Sequence, residues 1–140
     1  MKLIYTSKKH SLSSFFIRLF TFSKYSHCAI DLGDDMIIDT VLTTGVRTST
    51  VAEFAAMYPD QVVIDIKVPD DINAYQFALE QVGKPYDWSA IISLAAQRDW
   101  QEPDKWFCSE LVEAILAAGG LQRFRDEVYK ITPQESWSIL

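Results

Sequence analysis

The stretch Tyr25 to Thr40, YSHCAIDLGDDMIIDT, alternates apolar and polar residues on either side of Gly33-Asp34-Asp35, and this pattern constrains the fold more than any other in the chain. Period two reads as strand, and a glycine with two aspartates between two such runs reads as a hairpin turn. If the loop holds three residues, Gly33 to Asp35, then Leu32 opposes Met36, Ile30 opposes Ile38 and Cys28 opposes Thr40, giving one face that is almost wholly apolar. The other face collects Tyr25, His27, Ala29, Asp31, Ile37 and Asp39, with Asp39 opposite Ala29 and diagonal to His27. A two-residue loop would shift the register by one and put Asp35 and Asp39 among the apolar residues, which burial penalises. The odd loop therefore brings an imidazole and a carboxylate within reach of each other. Taken alone, the pair is equally an ordinary cross-strand contact on a half-exposed sheet.

The rest of the chain supplies partners for this hairpin. KLIYT, residues 2 to 6, reads as a short strand, a further strand is expected near Val46 to Ser49, and QVVIDIKV, from Gln61, is rich in β-branched residues. Thr50 and Glu53 have capping-box spacing at the start of TVAEFAAMY, a helix that Pro59 ends. Asp70 or Asp71 opens a second helix, DINAYQFALEQV, which Gly83 stops. GKPYDW then reads as a loop, SAIISLAAQ as a short helix, DWQEPDKWF as a connector, and Cys108 to about Ala118 as a helix closed by Gly119-Gly120. In residues 11 to 22, Leu12, Phe15, Phe16 and Leu19 form an amphipathic stripe, which suits either a core-covering helix or one lying on a membrane surface. This mixture predicts an α+β fold, a mostly antiparallel sheet with helices packed on one side, as a single domain over residues 1–140.

Charge narrows the functional classes. A formal net charge of −6 argues against a nucleic-acid partner, which requires a basic face. Lys2, Lys8, Lys9, Arg18 and Lys24 nevertheless leave residues 1–30 basic with no acidic residue, so that residues 8–24 could meet an anionic or lipid surface. Two cysteines make no disulfide framework and suit a reducing, cytoplasmic setting. The basic and apolar start has the outline of a signal peptide, but Arg18 interrupts it and no small-residue cleavage site follows; no run is long enough to span a bilayer.

Cys108 precedes Leu111, Val112 and Ile115 at spacings that place all four on one helical stripe. Two readings fit. Cysteine is a small, commonly buried residue, and a thiol in the first turn of a helix meets free N–H groups and the positive end of the dipole, which favour a thiolate. A zinc site from His10, His27, Cys28 and Cys108 is disfavoured, because His27 and Cys28 are strand neighbours that point to opposite faces. No metal or cofactor is expected.

SKYSHCAIDLGDDMIIDTVLTTGVR together with GKPYDW and KWFCSELV resembles, in order, the circularly permuted papain-like hydrolases of the NlpC type, in particular the YiiX/YebB-like group. The resemblance runs from about residue 5 to ITPQ at 131–134. It implies a permuted papain-like fold and a thiol hydrolase in which Cys108 is the nucleophile, His27 the base and Asp39 the residue that orients it. It also implies an amide substrate in cell-wall peptides or a related small peptide. Alternatives with the same fold are an acyl-chain hydrolase or acyltransferase working at a lipid surface, and a non-catalytic binding domain. The backbone N–H of Cys108, with Tyr25 on the His27 face, is the expected oxyanion donor set. Two departures stand out. Asp39 occupies a position where many relatives carry glutamate, so a looser or water-bridged contact with His27 is expected. The chain also lacks the export signal of secreted relatives, so it acts inside the cell or is delivered by other means, such as a phage infection.

Overall fold

The computed structural model describes residues 1–7, 24–87, 104–124 and 131–140. In chain order the elements are β1 (Lys2–Thr6), β2 (His27–Gly33), β3 (Met36–Val41), β4 (Gly45–Ser49), α1 (Val51–Met57), β5 (Gln61–Asp65), α2 (Asp71–Gln81), α3 (Cys108–Ala118) and α4 (Pro133–Ser138). The amphipathic segment 11–22, the expected helix SAIISLAAQ and most of the following connector lie outside the described residues. Among the described residues no helix is long and apolar enough to cross a membrane.

The strands form one five-stranded antiparallel sheet in the order β4-β3-β2-β1-β5. The α+β class expected from the sequence is what the chain adopts. β1 lies between β2 and the edge strand β5, with Tyr5 opposite Cys28 on one side and Val62 on the other. One sheet face carries Leu3, Tyr5, Cys28, Ile30, Leu32, Ile38 and Val46 into the main core against Ala74 and Ala78 of α2 and Cys108, Leu111, Val112, Ile115 and Leu116 of α3. The opposite face is covered too. Ile4, Ala29 and Ile37 form a second buried cluster with Phe54 of α1, with Tyr58 packed on it. Helices therefore sit on both faces, and the side that reads as half-exposed in sequence is closed by α1.

The hairpin turn differs in form from the expected three-residue loop while keeping its register. Asp34 and Asp35 both have positive φ, 49° and 59°, and form a two-residue turn of the hand that matches strand twist. Ile30 pairs with Ile38 as expected, but a bulge follows and Gly33, not Leu32, faces Met36. The bulge absorbs the odd residue. Asp31 steadies it by accepting the Gly33 N–H at 2.9 Å. The buried faces thus fix the pairing, and turn and bulge adjust to it.

Helix signals were local and hold. Thr50 and Glu53 form a reciprocal capping box at α1, with the Glu53 N–H donating to Thr50 Oγ1 at 3.2 Å and the Thr50 N–H to Glu53 Oε2 at 2.9 Å. Asp70 caps α2 by accepting the Asn73 N–H at 3.0 Å. Gly45, at φ 71°, lies where a Cβ would collide with the Lys84 carbonyl, and the Val46 N–H donates to that same oxygen at 2.8 Å. This close approach pins the loop after α2 to β4. The loop continues to Tyr86 and bridges to Trp106, two residues before α3.

Candidate active site

α3 begins at Cys108 because Phe107 is extended at the N-cap and the Glu110 carboxylate reaches back to accept its backbone N–H at 3.2 Å. Phe107 has no side-chain acceptor of its own, so this is half a capping box. The stripe expected to face the sheet does so, with Cys108 2%, Leu111 0%, Val112 1% and Ile115 0% exposed. The far side of the helix is buried as well, and it is polar. Glu113 pairs with Arg123 and accepts from Ser136 Oγ at 2.6 Å, Ser136 in turn meets Tyr5 Oη at 2.7 Å, and Ser109 donates to the Ile131 carbonyl. These bonds tie α3 to α4 and β1, so the position of Cys108 is fixed from behind. Burial pushes the Tyr5 phenol up to about 12.

His27 opens β2 at the end of the sheet, opposite Thr6. Its Nε2 lies 2.8 Å from Asp39 Oδ2, a direct contact rather than the loose or water-bridged one expected for a shortened carboxylate. The register that sets Ile30 against Ile38 carries Asp39 to a position diagonal to His27, and Arg47 on the next strand holds it there. Arg47 Nε donates to Asp39 Oδ1 at 2.9 Å and Nη2 to Oδ2 at 3.3 Å. The Tyr58 ring stacks on the imidazole with centroids 5.1 Å apart.

With Nε2 committed to Asp39, Nδ1 is the ring nitrogen left to face Cys108, whose thiol helps raise the imidazole pKa. Burial pushes the His27 pKa down, but the bonds to Asp39 and Cys108 outweigh it and hold the ring well above the ordinary histidine range. The Asp39 carboxyl is likewise raised by burial but held below its usual value by His27 and Arg47. Cys108 lies well below the ordinary thiol range: the Cys28 thiol donates to its sulfur, His27 bonds and pairs with it, the Cys28 backbone N–H adds another donor, and together these overcome burial. Cys28 moves the other way, driven up by burial and then by its neighbour. Both shifts act in the same sense, favouring the thiolate–imidazolium form of the pair over the neutral one.

Cys28 is the participant that strand alternation hid. His27 and Cys28 both lower the Cys108 pKa although neighbouring strand residues point to opposite faces, and His27 is the first residue of its strand, where alternation constrains a side chain least. Among the described residues no group of three or more His, Cys, Asp or Glu side chains is placed to hold a metal ion, and His10 lies outside them. Tyr25 sits elsewhere than expected. It precedes β2, and its ring packs against Tyr5 at 5.6 Å and Trp137 at 4.8 Å in the main core, not on the face with Ala29 and Ile37. Tyr86 of the GKPYDW loop was not singled out beforehand; it is 5% exposed, edge-on to Phe107 at 5.9 Å, and its phenol is driven up by burial and then by Cys108.

A comparison with curated proteins found no match. A family profile described as permuted papain-like amidase enzyme, YaeF/YiiX, C92 family, matches residues 2–134, almost the whole chain. The protein therefore belongs to the permuted papain-like amidases, a family of thiol hydrolases.

Proposed function

We propose that the protein cleaves an amide bond in cell-wall peptides or a related small peptide, with Cys108 as nucleophile, His27 as general base and acid, and Asp39 as the group that orients the imidazole. The observation that carries this reading is a histidine held at 2.8 Å by a buried carboxylate and interacting electrostatically with the Cys108 thiol at the first residue of α3. The Cys108 thiolate attacks the amide carbonyl, and the C–N bond breaks as imidazolium gives its proton to the departing nitrogen. Water, deprotonated by the neutral imidazole, then hydrolyses the thioester and restores the thiol pair. The backbone N–H of Cys108, at the first helical position, has no intrahelical partner and supplies one oxyanion donor. Tyr25 is assigned the other. Because its ring is packed between Tyr5 and Trp137, the role rests on the hydroxyl alone, and Tyr25→Phe isolates it.

Amide rather than ester chemistry is favoured by the family's description as amidases. Wild type, Cys108→Ala and His27→Ala should be incubated with a muropeptide mixture and, separately, with anionic phospholipid vesicles, and the products read by mass spectrometry. Muropeptide cleavage that disappears in both variants is the expected result. Cys108-dependent fatty-acid release with intact muropeptides would replace the amide reading by the acyl-chain one and assign the basic segment 8–24 to the lipid surface. No turnover in either arm would point to the binding-domain alternative.

A further inference from the structure

Arg47 lies on β4 directly opposite Asp39 on β3. Its Nε and Nη2 donate side by side to the two Asp39 oxygens, at 2.9 and 3.3 Å, and Nη2 also meets Met57 Sδ at 3.4 Å at the end of α1. The Asp39 side chain is completely buried while that of Arg47 is 30% exposed. A carboxylate held by His27 alone could rotate about its last bond, whereas a planar two-nitrogen fork fixes its plane. We infer that Arg47 is a positioning residue that acts through Asp39, locking the carboxylate plane so that Oδ2 aims the His27 ring, and hence its Nδ1, at Cys108. The inference rests on the triad reading above.

Among the described residues, these charged and titratable groups act on this chain of contacts. Asp39 faces His27 from β2 and Arg47 from β4, and Arg47 also faces Tyr58 after α1. His27 faces Asp39 and Cys108, Cys108 faces Cys28 and Tyr86, Tyr86 is also acted on by Glu110 and Asp87, and Cys28 by Glu113 and Arg123. Removing Arg47 has two opposed consequences. As a simple cation near an imidazolium, its loss would favour the imidazolium and so favour the thiolate at lower pH. As the group that orients and ionises Asp39, its loss weakens the support of the imidazolium, and the thiolate is lost at higher pH. The sign of the shift therefore identifies the role.

The test is the rate of iodoacetamide alkylation at Cys108 as a function of pH, read by peptide mass, for wild type, Arg47→Gln, Arg47→Lys and His27→Ala, with thermal unfolding of each. Arg47→Gln keeps the stem over Met57 and removes the charge, while Arg47→Lys returns charge without the fork. The acidic limb should move up by about one pH unit in Arg47→Gln, return only in part in Arg47→Lys, and move furthest in His27→Ala. A merely structural Arg47 would lower the unfolding temperature and leave the limb in place. Either an unmoved or a downward limb in Arg47→Gln overturns the inference, as does full restoration by Arg47→Lys, which would show that charge suffices. If His27→Ala moves and Arg47→Gln does not, the triad reading stands without Arg47; if His27→Ala also superimposes on wild type, both fall.

Discussion

At the scale of the residue, Asp39 carries more of the site than its short side chain suggests. Its two oxygens accept from three donors, His27 Nε2, Arg47 Nε and Arg47 Nη2. Asn in its place has one oxygen and one NH₂, so at least one of those donors would face another donor. Asp39→Asn is therefore expected to lower kcat/KM on a cleavable amide by roughly 100-fold or more, approaching the loss in His27→Ala; near-wild-type turnover would show that the carboxylate is not needed. The same group sets an acid limit on stability. The folded Asp39 pKa lies below the unfolded value of 3.8, so its contribution is present above about that pH and is lost as pH falls through the lowered folded value. The nearness of His27 to Asp39 and the place of Cys108 at a helix start were legible because strand alternation and helix starts are local patterns, while the roles given to them came from the resemblance. Arg47 and Cys28 were not legible in this way, since one depends on the pairing of β3 with β4 and the other on how a strand ends.

At the scale of the element, the hairpin and α3 matter most, and the sequence conveys them unequally. Apolar alternation sets the hairpin register, but nothing local distinguishes a three-residue loop from two residues and a bulge. For α3 the apolar stripe is legible, while its buried polar side is not: Ser109, Glu110 and Glu113 read as the solvent face of an amphipathic helix, yet they are 0%, 5% and 2% exposed. Glu113 is met by Arg123 and by Ser136 of α4, and Ser109 by the Ile131 carbonyl, partners that come to α3 only in three dimensions. Glu113→Ala leaves the nearly buried Arg123 guanidinium without its carboxylate, and the expected loss is about 3 kcal/mol of folding stability by denaturant titration. An unchanged midpoint would show that this network is not what holds α3 in place. Glu113→Gln, which keeps an acceptor for Ser136 and Arg123, should lose less.

At the scale of the whole molecule, two layers of helix close on a sheet whose one end carries the site, and the order of motifs along the chain is what made the family resemblance legible. The second apolar cluster under α1 was not foreseen, because Asp31, His27 and Asp39 make that face look polar; the pairing of Asp39 with His27 and Arg47, and of Asp31 with the Gly33 N–H and Lys2, allows it to be covered. The two cysteines test most directly whether Cys108 is a thiolate paired with His27. Both thiols are buried, 2% and 1% exposed, so access alone does not separate them, but their pKa values are pushed in opposite directions. Limited iodoacetamide treatment at about pH 6, where an ordinary thiol is almost wholly protonated, followed by intact mass and peptide mapping, should give one adduct per chain, at Cys108, with Cys28 unmodified. Preferential labelling of Cys28, or no difference between the two, would contradict that pairing.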